Sequence, residues 1–251
     1  MFNKLFSSQL RINMLSGTAT TIVNIIVMAV GYPIYLHFLG YEQYGVWLVL
    51  TTVLSFASLG NLGIGPAVMK LVAEEYGRKN IQGVQSYITT ALVMLLLSGT
   101  IILLVLLILR HPIVASFKLN TENAHMVLWL LPYIGVLCIY SFLIQVFEAT
   151  LSGLGHMDWA NYIRTFSHVI QVFISGFLLA SGQGIIGMLI GSIFSCIIIH
   201  ILAVFCIRKI IRFNLLNTAT INATSLKIMI KFGGTVFSGT LISMLLNPFN
   251  K

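Results

Sequence analysis

Seven long apolar runs, separated by short polar stretches, set the pattern of this chain. They cover about Leu15–Leu39, Tyr44–Gly63, Ser86–Leu109, Met126–Thr150, Tyr162–Ala180, Ile185–Ile207 and Ile228–Leu246. Most reach the roughly 20 residues that a helix needs to cross a bilayer core. Hydrocarbon offers no partner to a bare peptide group, so an open chain crosses it as a helix. The expected fold is therefore all-α, a polytopic membrane helix bundle. The first run is too long for a signal-peptide core and no small-x-small cleavage site follows it, so it reads as a span.

The second run does not stop cleanly. Gly60, Gly63, Gly65 and Pro66 predict a break, because glycine and proline interrupt a membrane helix or let a neighbour approach. The stretch after the break carries Lys70, Glu74, Glu75, Arg78 and Lys79 between apolar positions. Its pattern predicts an amphipathic helix at the membrane surface. A similar surface piece is expected over Pro112–His125, and Pro33 is expected to kink the first helix.

Composition supports the same class. Apolar residues make up 58% and charged residues 8% of the 251 positions, against about 45–50% and 25% in soluble domains. A soluble globular fold, a disordered chain and a disulfide scaffold are excluded. The net charge of +8 would suggest nucleic acid in a soluble chain. Here the basic residues cluster between the apolar runs, and no nucleic-acid partner is expected. With a cytoplasmic N-terminus, all 14 Lys and Arg except Arg110, Lys118 and Lys251 fall inside. This is the positive-inside pattern of a multi-pass protein of the cytoplasmic (inner) membrane. The outer loops Gly40–Gln43 and Ser181–Gly184 hold no Lys or Arg.

Enzyme signatures are missing. No HExxH, nucleophile elbow, acidic magnesium cluster or Walker loop occurs. Gly60-x-x-Gly63-x-Gly65 lacks the Lys-Ser/Thr and the preceding strand of a phosphate loop. Cys138, Cys196 and Cys206 lie in apolar runs without metal-ligand spacing, and His200 has only Cys196 a turn away. No metal, cofactor or catalytic residue is expected.

Polar residues inside the spans carry the functional signal, since they are costly in lipid and face an interior or a wet cavity. Gly17, Thr21 and Asn24 form a stripe on the first run. Ser141, Gln145 and Glu148 share one face of the fourth, and Arg164, His168 and Gln171 one face of the fifth. Glu148 and Arg164 are expected to pair, either as a structural bridge or in substrate passage. Arg11, Arg164, Lys227 and Lys231 would line a positive vestibule, the alternative for the lysines being interfacial snorkelling. Gly187, Gly191 and Ser195 form a small-residue stripe for close helix packing.

Several stretches resemble one family. Pro33-Ile-Tyr-Leu-His-Phe-Leu-Gly40-Tyr-Glu-Gln-Tyr-Gly45-Val-Trp47 is similar to the first outer loop of the polysaccharide and O-antigen flippases. These belong to the MATE-like multidrug/oligosaccharidyl-lipid/polysaccharide exporter superfamily. Leu59-Gly-Asn-Leu-Gly-Ile-Gly65 resembles its second-helix signature, with Asn61 where an Asp is common. Leu151-Ser-Gly-Leu-Gly155 with Asn161, Phe232-Gly-Gly234 and Asn247-Pro-Phe-Asn-Lys251 resemble later segments.

The resemblance implies two six-helix lobes flanking a V-shaped cavity, and movement of undecaprenyl-pyrophosphate-linked oligosaccharide across the membrane. Residues 1–207 would form the N-terminal lobe, 208–225 a cytoplasmic linker and 226–251 the first helix of an incomplete second lobe. The chain would be a truncated or fragmentary flippase. The implied partners are the bilayer, the lipid-linked oligosaccharide and other polysaccharide assembly proteins. Pyrophosphate chemistry favours Arg11, Arg164, Lys227 and Lys231, with Asn24 and His168 as further substrate-binding candidates. Glu148, Gln145 and Gln171 are structural or coupling candidates. The alternatives are a cation-coupled multidrug antiporter of the same superfamily and a non-functional truncated membrane protein.

Overall fold

The computed structural model of the chain describes residues 2–211 and 223–246. In chain order its helices are α1 (Phe2–Ala57), α2 (Ile64–Gly77), α3 (Ile81–Ile108) and α4 (Arg110–Ser116). They continue with α5 (Thr121–Gly153), α6 (Met157–Ala180), α7 (Gly184–Ile210) and α8 (Ala223–Leu246), and a 3-10 turn covers Ser58–Asn61. No strand occurs among the described residues. The protein is an all-α membrane bundle, with five helices long and apolar enough to cross a bilayer among the described residues.

The first two apolar runs form α1 without an intervening loop. At 56 residues, a straight α1 would be about 84 Å long, far beyond a bilayer core of about 30 Å. The chain instead turns back at Gly40, the one residue inside α1 with non-helical backbone (φ 70°, ψ 174°). Tyr32 and Tyr44 show the reversal: their ring centroids lie 5.5 Å apart, where a straight helix would separate them by about 18 Å. Helical backbone is kept at Pro33, and the reversal falls at Gly40, within the expected outer loop, at a glycine that accepts positive φ. The expected loop Gly40–Gln43 shrinks to that glycine.

The expected break after the second run is present. The 3-10 turn ends in two left-handed residues, Leu62 (φ 52°) and Gly63 (φ 70°), which terminate one helix before α2 begins. Ile64, Val68, Leu71 and Val72 of α2 are buried against α3 and α5. The amphipathic pattern was expected to rest on the membrane surface. The bundle covers that apolar face instead, leaving Lys70 and Glu74 exposed on the other. The outer surface piece reduces to the seven residues of α4.

Asn side chains start two long helices. The Asn80 Oδ1 accepts from the Gly83 N–H at 3.1 Å, and the Asn120 Oδ1 from the Asn123 N–H at 2.8 Å. Each satisfies a backbone donor that the first helical turn leaves unpaired. Arg208 and Lys209 lie in the last turn of α7, where positive charge complements the helix dipole.

The centre of the bundle is α5. Half of its apolar stretch is buried inside the protein, against a third or less for the other spans. Phe147, Leu130, Leu131 and Ile134 are almost fully enclosed. Large apolar side chains such as Phe173, Phe177, Ile201 and Phe205 point outward, an arrangement suited to a hydrocarbon solvent.

The seventh run forms α8, which packs on α2 and α3. Its backbone crosses the break: a methyl on Gly63 would sit 2.5 Å from the Gly233 carbonyl oxygen. Lys70 Nζ lies 4.5 Å from the centre of the Phe232 ring, and the Ser86 and Ser225 hydroxyls are 3.1 Å apart. Residues 212–222 of the expected linker and the ending Asn247–Lys251 lie outside the described residues.

Gly63→Ala should therefore displace α8, since the left-handed backbone costs roughly 1–2 kcal/mol for a residue with a Cβ and the new methyl meets backbone. A Ser86→Cys/Ser225→Cys pair should form a disulfide in the wild-type background and lose it with Gly63→Ala. Gly234→Ala, which meets nothing within 4 Å, should leave the crosslink intact.

Candidate functional site

Polar residues recur every three or four positions along the first part of α1, at Asn13, Gly17, Thr20, Thr21 and Asn24. A matching stripe runs along α6 through Asn161, Arg164, Thr165, His168 and Gln171. The fold lays these helices side by side, and the two stripes enclose an open cavity of about 770 Å³. A second chamber of about 350 Å³ adjoins it, with Asn24 common to both. Tyr32, Tyr35, Tyr44, His168 and Gln171 line this second chamber.

The end of the cavity near Asn13 is tied by amides. The Asn13 Oδ1 accepts from the Asp158 N–H at 3.3 Å, and its Nδ2 donates to the Gly155 carbonyl at 3.4 Å. Asn13 thus caps the start of α6 from another helix, where His156 supplies no side-chain cap. Gln9 Nε2 donates to both Asn13 Oδ1 and Asp158 Oδ1 at 3.4 Å. Asn161 Nδ2 donates to Ser16 Oγ at 3.3 Å.

Glu148 of α5 and Arg164 of α6 form a bidentate ion pair. Arg164 Nε donates to Glu148 Oε1 at 2.9 Å and Nη2 to Oε2 at 3.1 Å. The Glu148 side chain is 13% exposed and that of Arg164 46%. Both carboxylate oxygens are occupied, and the two charges cancel at the cavity wall.

Further polar pairs join the spans. Asn61 Nδ2 donates to Gln145 Oε1, so Gln145 binds the break rather than the cavity. Gln171 Nε2 donates to Ser192 Oγ of α7 at 2.9 Å. Gly187 and Gly191 of α7 face α6: a methyl on Gly187 would lie 3.0 Å from Leu178 Cβ, and one on Gly191 3.1 Å from the Gln171 carbonyl. Ser195 is buried on the same helix.

The expected positive vestibule is not assembled. Lys227 and Lys231 are exposed on α8, whose packing partners are α2 and α3, not the α1–α6 seam. Arg11 is exposed on α1 and does not line the cavity. Arg164 does line it, with its charge countered by Glu148. Charge grouped these four residues in sequence, but helix packing separates them.

His200 stacks on Tyr140, with ring centroids 5.7 Å apart, and meets Phe147 edge-on at 5.1 Å. Among the described residues no three His, Cys, Asp or Glu side chains gather as a metal site. On the other side of the α1–α6 seam lies an apolar groove of about 520 Å³, bordered by Ile26, Ile34, Phe173 and Phe177. Close contacts of Gly31 with Val172 and of Gly176 with Ile34 narrow the seam between groove and cavity.

Asn13, Thr20, Thr165 and Ser192 were not singled out from sequence, and Asn161 only as part of the family resemblance. The three- and four-residue spacing that marked Gly17, Thr21 and Asn24 extends back to Asn13, and was the signal available.

Apolar helical spans that enclose a cavity between two of them define a polytopic membrane bundle. The MatE family profile matches residues 37–178, and the chain belongs to that family, whose members are transporters rather than enzymes. Among solved structures it is similar to one titled as the outward-facing conformation of a multidrug resistance MATE family transporter of the MOP superfamily, at 17% identity and a TM-score of 0.68. The match covers 95% of this chain and 54% of that one, so the chain spans about half the length of that transporter. No curated protein matches the chain.

Removing one member of the Glu148–Arg164 pair should destabilise the bundle by about 1–3 kcal/mol, since it strands a partly buried charge. Glu148→Gln and Arg164→Gln should each lower the unfolding temperature in detergent. The reversed pair Glu148→Arg/Arg164→Glu should recover part of the loss; no recovery would show that the two side chains act separately.

Proposed function

We propose that this transporter handles undecaprenyl-pyrophosphate-linked oligosaccharides for cell-surface polysaccharide assembly. In this reading residues 1–207 form the N-terminal lobe, 208–225 a linker, and 226–251 the first helix of a second lobe. The protein sits in the cytoplasmic membrane with its N-terminus inside. Asn24, Arg164 and His168 face the substrate path, while Glu148, Gln145 and Gln171 hold the spans that form it. Other polysaccharide assembly proteins would supply and consume the substrate.

The observation that carries this reading is the state of Glu148. A cation-coupled drug antiporter needs a carboxylate that can release and rebind its ion within the spans. Glu148 is the one acid within the apolar runs, and Arg164 holds both of its oxygens. A cavity lined by threonine and asparagine side chains, with Arg164 paired to Glu148, suits a polar glycan better than a drug cation.

Reconstitution into liposomes separates the two activities. The protein should transfer undecaprenyl-diphosphate-linked oligosaccharide between leaflets, read as sugar newly exposed to a membrane-impermeant lectin. It should not expel a cationic dye in response to a sodium or proton gradient. Gradient-driven dye efflux without lipid transfer would establish the antiporter reading instead.

A further inference from the structure

We infer that the α1–α6 cavity is a subsite for neutral sugar rings, not for the diphosphate linker. The inference rests on the reading of the chain as a handler of lipid-linked oligosaccharide, and assigns a part of that substrate to a part of the site.

Charge is the first argument. A diphosphate is held by cations or by clustered N–H donors. Among the described residues Arg164 is the one Lys or Arg that lines the cavity, and Glu148 counters its charge across two hydrogen bonds. The wall therefore offers little net attraction to an anion.

The direction of the hydrogen bonds is the second argument. Thr18 Oγ1 donates to the Met14 carbonyl at 3.2 Å, Thr20 Oγ1 to Ser16 at 2.8 Å and Thr21 Oγ1 to Gly17 at 2.8 Å. Each hydroxyl has one hydrogen, and these three are used on their own helix. The cavity then sees oxygen lone pairs. Asn13 and Asn161 each spend one of their two amide hydrogens within the protein, on Gly155 and Ser16. Phosphate oxygens only accept, so the threonine rim of the cavity is a poor match for them. Sugar hydroxyls donate as well as accept.

Two orphaned atoms point the same way. The Asn24 Oδ1 and Thr165 Oγ1 are buried without a hydrogen-bond partner, and both residues line the cavity. An unpaired buried polar atom costs about 1–3 kcal/mol, a cost that turning these two side chains toward a hydroxyl-bearing ligand in the cavity would remove. The adjoining chamber adds Tyr32, Tyr35 and Tyr44. Tyrosine rings present apolar faces with a polar tip, the combination that suits the C–H face and hydroxyl rim of a pyranose. Asn24 borders both chambers, so a ligand longer than one ring can pass it.

The test compares two lipids on the full chain in nanodiscs. One is the undecaprenyl-diphosphate-linked oligosaccharide extracted from the native membrane; the other is sugar-free undecaprenyl diphosphate. The wild type should bind the glycosylated lipid at least about ten-fold more tightly, the sum of a few hydrogen bonds. Thr21→Val and Asn24→Leu should each remove about three- to ten-fold of that advantage and leave the affinity for the sugar-free lipid unchanged. Thr21→Ser, which restores the oxygen, should restore the preference. Equal affinity for the two lipids in the wild type, or equal weakening of both by the variants, would overturn the subsite while leaving the lipid-linked substrate in place. A wild type that binds neither lipid would overturn the substrate reading itself, and the subsite with it.

Discussion

Hydrocarbon cannot satisfy a hydrogen bond, and this single property of the solvent orders the bundle. Every amide, hydroxyl and charge within a span must find a partner on its own helix or on a neighbour. The side-chain bonds between spans therefore do more than add stability. Asn61 with Gln145, Glu148 with Arg164, Asn161 with Ser16 and Gln171 with Ser192 each join two helices. Apolar packing against lipid-like neighbours is weakly directional, whereas each of these pairs holds one side-chain register. The helices α1, α5, α6 and α7 are rotated so that their polar stripes meet.

At the cavity two buried polar atoms, Asn24 Oδ1 and Thr165 Oγ1, are left without a partner. Helix-internal bonds absorb the threonine hydrogens, and one ion pair absorbs the charge. What is left is a polar surface that is neither acidic nor basic, inside a protein whose exterior is apolar. That contrast sets the chemistry the α1–α6 interface offers.

Much of the fold was legible because membrane spans leave long signals. Run length marked the helices, glycine and proline marked the break at Gly63, and the short link between Glu148 and Arg164 brought that pair within reach. The failures have physical reasons. Periodicity said that one face of α2 is apolar but not what covers it, so its packing against α3 and α5 was not legible. Charge grouped Lys227 and Lys231 with Arg164, yet the position of α8 follows from the Gly63–Gly233 contact, which a charge pattern does not encode. Asn13 caps α6 from a position more than 140 residues away in sequence, and nothing local announces such a partner. Gly40 turns the chain alone because positive φ needs no more than one glycine, so the expected loop was too long.

The crossing of α8 over the break at Gly63 has a mechanical consequence. Side chains that interlock two helices resist both sliding and rotation, since knobs must leave their holes. At Gly63 and Gly233 the backbones meet with no side chain between them. Such a contact opposes compression strongly and twisting weakly. It works as a spacer: with no side chain in between, the two backbones themselves set how closely α8 approaches the break before α2.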